Sequence, residues 1–259
     1  MKKILLGLLF IAGQQYVNSQ NLLGTAKEAM SLEIVGTSGT NAVAVTYNPK
    51  TALYYTVFAG NNVYPLEVFS KSGEFISTQE AGFDSRGMWY NKKTNSLEGV
   101  SYPDSQEHSI KLTSSGQLGQ LTNGTVLYKE ETNAVAAYNE KSKKVLFVTS
   151  DGEVKLYKKG STTATSIRLL IENQQNYNFK APIYTNVKGK ELGLFNHETL
   201  RVDFFNLKTG AMSGSVKINL YDSNTSFEIP AAFRVSYANN MVWVYNAGDR
   251  VWYGYQIWD

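Results

Sequence analysis

Apolar and polar residues alternate along short runs of the chain, and this alternation predicts β-strands. Leu66-Glu67-Val68-Phe69, Ile110-Lys111-Leu112 and Val154-Lys155-Leu156-Tyr157 carry apolar side chains at nearly every second position, which is the period of a pleated strand. Turns rich in Gly, Asn and Asp separate the runs. No stretch keeps a helical period over three turns, so the pattern predicts an all-β protein.

These runs belong to a repeat, and each copy begins with an apolar strand that ends in Tyr-Asn or a close variant. The five copies are residues 42–48, 87–91, 134–139, 181–186 and 233–239. Their asparagines, Asn48, Asn91, Asn139, Asn186 and Asn239, follow one another at intervals of 43, 48, 47 and 53 residues. Units of about 40–50 residues with about four strands each are typical of β-propeller blades. We expect the tyrosines to pack between blades and the asparagines to start turns, and none of them to be catalytic.

The two ends of the chain are expected to share one blade. The last copy reaches its third strand at residues 251–258 and has no fourth strand, whereas residues 29–35 form a spare strand ahead of the first copy. Pairing the two would cover sheet edges that are otherwise open. We therefore predict a five-bladed β-propeller with four-stranded antiparallel blades, the last blade closed by an N-terminal strand. Because the last interval, 53 residues, is longer than the others, the number of blades could differ from five by one.

The first 19 residues have the layout of a cleaved export signal. Lys2 and Lys3 precede an apolar run from Ile4 to Ala12, and polar residues follow up to Ser19. The run is too short for a permanent membrane anchor, which needs about 20 residues. We expect residues 1–19 to be a signal peptide, residues 20–259 to be a single β-propeller domain, and the product to be secreted or periplasmic in a bacterium.

Composition narrows the classes of function. The formal net charge is +3 and the few lysine clusters lie in turns, so nucleic-acid binding is not expected. The chain has no cysteine and two histidines, His108 and His197, which argues against thiol chemistry and a histidine-based metal site. No metal or other cofactor is expected, no transmembrane segment is found in the sequence, and we expect a monomer.

The blade layout resembles that of exported bacterial β-propellers with NHL-like or quinoprotein-like repeats. The resemblance covers nearly the whole of residues 20–259 but rests on the spacing of strands and turns, since the Gly-His…Trp-Asp signature of WD40 repeats is absent. It implies a propeller fold with a polar binding face around the axis. It does not imply a reaction.

Polar residues precede the innermost strands and follow the second strands, and in a propeller these positions lie on one face. The predicted ligand-binding face comprises Asn41, Asp84, Arg86, Asn133, Lys180, Asp249 and Arg250. Asp84 is the best candidate for a catalytic acid, although Glu131 and Glu228 do not occupy matching positions and Asp84 could instead pair with Arg86. Glycoside hydrolysis would need two carboxylates about 5–9 Å apart.

Three functions remain open at this point. The leading hypothesis is a non-enzymatic binding or scaffolding propeller that recognises a protein, peptide or glycan through one face. The alternative is an extracellular carbohydrate- or peptide-processing enzyme, such as a glycosidase-like five-bladed propeller. A structural component of a surface assembly is the third. No Gly-x-Ser-x-Gly elbow, P-loop or dinucleotide fingerprint selects a reaction.

Overall fold

A computed structural model describes residues 22–36, 41–60, 63–220 and 233–258. Within these ranges the chain forms β-strands and a single 3₁₀ turn, Gln174–Asn176, with no α-helix. The prediction of an all-β protein is therefore confirmed. The predicted signal peptide and the acid candidate Glu228 lie outside the described residues.

Three sheets each contain four strands that are hydrogen-bonded in chain order. After β1 (Leu22–Glu33), the first sheet contains β2 (Asn41–Asn48), β3 (Leu53–Ala59), β4 (Pro65–Phe69) and β5 (Phe75–Glu80). The second contains β6 (Ser85–Asn91), β7 (Ser96–Ser101), β8 (Gln106–Leu112) and β9 (Leu118–Leu127). The third contains β10 (Ala137–Asn139), β11 (Lys144–Val148), β12 (Glu153–Lys158) and β13 (Ala164–Arg168).

The remaining strands form one eight-stranded sheet. They are β14 (Ile183–Tyr184), β15 (Leu192–Asn196), β16 (Arg201–Phe205), β17 (Met212–Ile218), β18 (Val235–Ala238), β19 (Met241–Asn246) and β20 (Val251–Gln256), together with β1. The order is β14-β15-β16-β17-β1-β20-β19-β18. The sheet thus consists of two antiparallel units on either side of β1.

The N-terminal strand β1 pairs with the last strand of the chain, as the sequence predicts. Lys27 to Glu33 run antiparallel to Val251 to Gln256, and the first residues of β1 also pair in parallel with β17. The strand is longer than predicted and starts earlier. Leu32 of β1 is completely buried and lies opposite Trp252, so β1 contributes to the core through this side chain.

The first strands of the five repeat copies surround a common axis. β2 contacts β6 and β18, β10 contacts β6 and β14, and β14 contacts β18. Backbone hydrogen bonds link neighbouring copies directly, from Ala136 N to Arg86 O at 2.8 Å and from Val135 N to Lys180 O at 3.1 Å. Alanines and valines on these segments are small enough to allow this approach. The axis is therefore narrow where the inner strands begin.

Gly87 is required at one of these close approaches. Its φ is +115°, and a Cβ at this position would lie 2.4 Å from the carbonyl oxygen of Ala136. Only glycine combines this backbone conformation with this contact.

Candidate active site

The repeated tyrosines meet in one cavity at the end of the axis where the inner strands finish. This carboxyl-end cavity has a volume of about 400 Å³, within the range of small-ligand pockets. The aromatic side chains of its lining are Tyr47, Trp89, Tyr90, Tyr138, Tyr184 and Tyr237. Each of the five inner strands supplies one tyrosine, because each copy of the repeat has a tyrosine at or next to the end of its inner strand. The cavity narrows into a channel of about 80 Å³ between the strands.

The asparagines of the first three copies start turns, as predicted. The side-chain oxygen of Asn48 accepts the Lys50 N–H at 2.9 Å, and that of Asn91 accepts the Lys93 N–H at 3.0 Å. Asn139 accepts the Ser142 N–H at 2.9 Å. These short turns place the residue after each asparagine at the rim of the cavity.

Glu140 is the only carboxylate among the described residues that line the carboxyl-end cavity, and Lys92 is the only cation. Both side chains are exposed, and both follow a turn-starting asparagine. They do not form an ion pair with each other: the ion pairs between described side chains are Arg86–Asp84, Lys155–Glu130, Lys159–Glu98 and Arg168–Asp151. The Glu140 carboxylate is therefore available to a ligand.

Three phenols of the cavity, those of Tyr138, Tyr184 and Tyr237, stay protonated at neutral pH. Burial raises the pKa of Tyr138 to about 12, with smaller contributions from the charges of Glu98 and Glu140. Burial likewise raises the pKa of Tyr184 and of Tyr237 to about 12. The Tyr138 hydroxyl makes no hydrogen bond to any other described residue, so it can donate one to a bound molecule.

A buried carboxylate, Glu98, fixes the aromatic rings that form one wall of the cavity. The Trp89 ring stacks on Tyr138 with centroids 5.0 Å apart and planes 15° apart. The Trp89 indole N–H donates to Glu98 Oε2 at 3.1 Å, and Lys159 of the neighbouring sheet forms an ion pair with the same oxygen. Glu98 is 4% exposed. These contacts fix the orientation of the Trp89 and Tyr138 rings.

At the opposite end of the axis, the structure brings three of the predicted ligand-binding residues together around Arg86. Its guanidinium forms an ion pair with Asp84 and donates to Asn133 Oδ1 at 3.1 and 3.0 Å. It also lies 4.8 Å from the centroid of the Tyr102 ring and 5.2 Å from that of Phe233. Arg86 is only 6% exposed, so these contacts surround it.

Asp84, the candidate catalytic acid from the sequence, binds other protein groups through one of its carboxylate oxygens. Its Oδ1 accepts the Gly60 N–H at 2.9 Å in addition to its ion pair with Arg86. The second acid considered, Glu131, accepts hydrogen bonds from the N–H and hydroxyl of Ser150. Neither side chain lines the carboxyl-end cavity.

The other predicted face residues do not join the Arg86 cluster. Asn41 starts β2, and Lys180 is exposed with its N–H bonded to Asn178 Oδ1. Asp249 accepts a hydrogen bond from Asn246 at 2.8 Å, and Arg250 donates to the carbonyl of Gly36. Whether this face binds a ligand stays a prediction.

The two histidines have separate environments. His108 stacks on Phe83 and hydrogen-bonds to Ser101 and Asn123, and burial lowers its pKa. Burial also lowers the pKa of His197. The described part of the chain holds no group of three or more His, Asp or Glu side chains placed to bind a metal ion.

Sequence reasoning missed the tyrosine cavity and Glu140. It treated the Tyr-Asn repeat as structural and searched for acids where the inner strands begin. The signal that could have found the cavity was the recurrence of a tyrosine near the end of each of the five inner strands, because residues at the same ends of strands in a ring lie close to one another.

The fold and the cavity together define a propeller-like β-protein with an aromatic pocket on its axis. No protein family matches the sequence, and no curated protein matches it. Among solved structures, the chain is similar to the glutaminyl cyclase of Myxococcus xanthus, with a TM-score of 0.60 and 9% identity over 92% of this chain and 100% of that one. A protein of unknown function from Bacteroides caccae matches with a TM-score of 0.42 and 12% identity, over 79% of this chain and 70% of that one.

The similarity to the Myxococcus xanthus structure corrects the leading functional hypothesis. The prediction of a non-enzymatic binding or scaffolding propeller is wrong, because it treated the fold as a scaffold without chemistry, and a solved structure that is similar to this chain over its whole length is an enzyme. At 9% identity the similarity shows the fold alone, so the reaction has to be argued from the cavity. None of the described residues forms a helix that could cross a bilayer.

Proposed function

We propose that this protein is a peptide-processing enzyme that cyclises N-terminal glutaminyl residues in the carboxyl-end cavity. The observation that carries the proposal is a single carboxylate, Glu140, without an ion pair to any described residue, at the rim of a pocket lined with tyrosines that include Tyr138. The similarity in fold to a glutaminyl cyclase supports it.

Cyclisation of a glutaminyl residue needs only one group that moves protons. The α-nitrogen attacks the side-chain carboxamide carbon, a C–N bond forms, the bond to the amide nitrogen breaks, and ammonia leaves. Glu140 would take the proton from the attacking amine and give it to the departing nitrogen. The Tyr138 hydroxyl would donate a hydrogen bond to the oxygen on which negative charge develops.

The carbohydrate-processing version of the enzyme hypothesis fits this cavity less well. Glycoside hydrolysis uses two carboxylates on opposite sides of the bond that is cleaved, whereas Glu140 is the only carboxylate in the described lining. At the other end of the axis, Asp84 is bound to Arg86. A peptide end is therefore the substrate that we propose.

We further propose that the fold is a five-bladed propeller. Three four-stranded sheets support this count, as does the eight-stranded sheet, whose two antiparallel units meet at the parallel pairing of β1 with β17. A crystal structure with five sheets around the axis would support this count, and one with four or six sheets would refute it.

Export through residues 1–19 also remains a proposal. Its support is the order of a positive start, an apolar run and a polar end. An enzyme placed outside the cytoplasm would meet exported peptides. N-terminal sequencing of the protein recovered from the periplasm and the medium tests this, and a chain that still begins at Met1 would contradict it.

The activity is tested with a short peptide that begins with glutamine. Purified protein is incubated with it, ammonia is measured by a coupled assay, and the product is identified by the loss of the mass of one ammonia. We expect turnover by the wild type and a loss of about 100-fold or more in Glu140→Gln, because general acid–base catalysis typically contributes 10²–10⁴-fold. Glu74→Gln, which changes an exposed carboxylate in a turn outside the cavity, should keep full activity.

Two results would overturn the proposal. Wild-type protein that releases no ammonia from any glutaminyl peptide would exclude the reaction. Full activity in Glu140→Gln together with loss in Asp84→Asn would place the chemistry at the Arg86 end of the axis.

A further inference from the structure

Aromatic side chains form most of the wall of the carboxyl-end cavity on the side of the inner strands. Five tyrosines and Trp89 surround a space of about 400 Å³. An aromatic ring carries partial negative charge on its face and attracts a cation that lies over it. Several rings around one space are the arrangement that recognises quaternary ammonium groups.

The charges at the cavity favour a cation as well. Glu140 stands at the rim without an ion pair to any described residue. Its negative charge acts within the pocket, since it contributes to raising the pKa of both Tyr90 and Tyr138. Lys92 is exposed on the turn after β6 and is the one cation in the described lining. Its flexible side chain can turn toward solvent when a charged ligand enters.

We propose that the carboxyl-end cavity binds an organic ammonium group, with the tyrosine and tryptophan rings around it and Glu140 as its counter-ion. The inference deepens the proposed function and rests on it for the natural ligand, which would be the α-ammonium group of the peptide substrate. Bound in this way, the α-ammonium group lies beside Glu140. The neutral amine that remains after it loses one proton to solvent is the nucleophile, and Glu140 then transfers a proton from this amine to the departing nitrogen.

The test compares two probes of the same shape and different charge. Choline carries a trimethylammonium group, and 3,3-dimethylbutan-1-ol replaces it with a neutral tert-butyl group. Binding of each to the wild type is measured by titration calorimetry and by competition with the peptide substrate. We expect choline to bind at least about 10-fold more tightly, because several cation–π contacts and one carboxylate contribute together. Equal affinity for the two probes would overturn the proposal.

Variants locate the binding site. Tyr138→Leu should weaken choline binding by about 3- to 30-fold, the contribution of one ring, whereas Tyr138→Phe should keep most of it because the ring remains. Tyr47→Leu, at a half-buried position on another strand, provides a second test if Tyr138→Leu does not fold. Phe75→Leu removes an exposed ring on outer strand β5 and should change nothing. Choline binding that is unaltered in both leucine variants would show that the cation binds elsewhere.

The two proposals can fail separately. Choline binding that depends on the tyrosines, without turnover of glutaminyl peptides, would support the cation site and refute the cyclase. Turnover that depends on Glu140, without any preference for choline over its neutral analogue, would refute the cation site alone.

Discussion

Replacing Leu32 tests whether the N-terminal strand holds the whole fold together. The Leu32 side chain is 0% exposed and lies in a cluster that joins the first sheet to β19 and β20, including Phe69, Trp243 and Trp252. Leu32→Ala removes its outer carbons from a closely packed site that cannot fully collapse. Leucine-to-alanine changes in such sites cost about 2–5 kcal/mol, and we expect about 3 kcal/mol here.

The assay is urea denaturation followed by tryptophan fluorescence and by circular dichroism. Three of the four tryptophans, Trp243, Trp252 and Trp258, lie in or directly after the unit next to β1, and Trp89 lies in β6. The fluorescence signal therefore reports mainly on that unit, whereas the circular dichroism signal reports on all sheets. If closure of the ring is cooperative, the fluorescence and circular dichroism transitions move to lower urea concentration together. In a thermal melt, the melting temperature should fall by roughly 6–12 °C, at about 2–4 °C per kcal/mol for a chain near this size. Leu23→Ala, at a 40% exposed position on the same strand, should change stability by less than about 0.5 kcal/mol.

A cost below about 1 kcal/mol for Leu32→Ala would refute the reasoning. So would a fluorescence transition that moves while the circular dichroism transition stays in place, because β1 would then fray without affecting the other sheets.

Three further changes test other parts of the structure. Glu98→Ala leaves the Trp89 indole and the Lys159 ammonium without their acceptor, and should cost about 3 kcal/mol of unfolding free energy in urea. Gly87→Ala should cost more than about 3 kcal/mol in the same assay, since its Cβ would overlap the Ala136 carbonyl at a φ of +115°. Burial raises the pKa of Asp203, so the folded state holds this proton more tightly than the unfolded chain, and stability is lost as pH rises from the ordinary aspartate pKa through the raised one. Asp203→Asn should therefore gain stability relative to the wild type as the pH of the urea series increases.

Each of these has an outcome that would contradict it. Glu98→Gln keeps an acceptor for the indole and should lose less than Glu98→Ala; an equal loss would mean that the Lys159 pair alone matters. Gly160→Ala, also at positive φ but with nothing within 4 Å of the added carbon, should cost only about 1 kcal/mol. A constant difference between Asp203→Asn and wild type at all pH values would show that Asp203 titrates alike in both states.

The strands were predictable because their information is local. Apolar residues at every second position, interrupted by Gly and Asn, specify strands and turns without reference to the rest of the chain. The asparagine side chains of the first three copies accept hydrogen bonds from the backbone of the turns, as expected. The pairing of β1 with β20 was also predictable, since one copy was short by a strand and the other end had one to spare. The first residue of β10 was not predictable. The backbone N–H groups of Val135 and Ala136 donate hydrogen bonds to neighbouring copies of the repeat instead of to β11.

The site was harder to predict because it exists only after the ring has closed. Glu140 stands in the sequence as an ordinary charged residue of a turn, and Tyr138 as a residue near the end of a strand. Neither residue indicates a reaction until the ring of five strands brings the strand ends together. Asp84, by contrast, looks chemical in the sequence, but the fold places Arg86 against it. In a repeat protein the residues common to all copies set the walls of the axial cavity, and the residue in which one copy departs from the others supplies its chemistry. The position after the turn-starting asparagine holds Pro49, Lys92 and Glu140 in the first three copies. Only the third of these is an acid, and for that reason we place the proton transfer there.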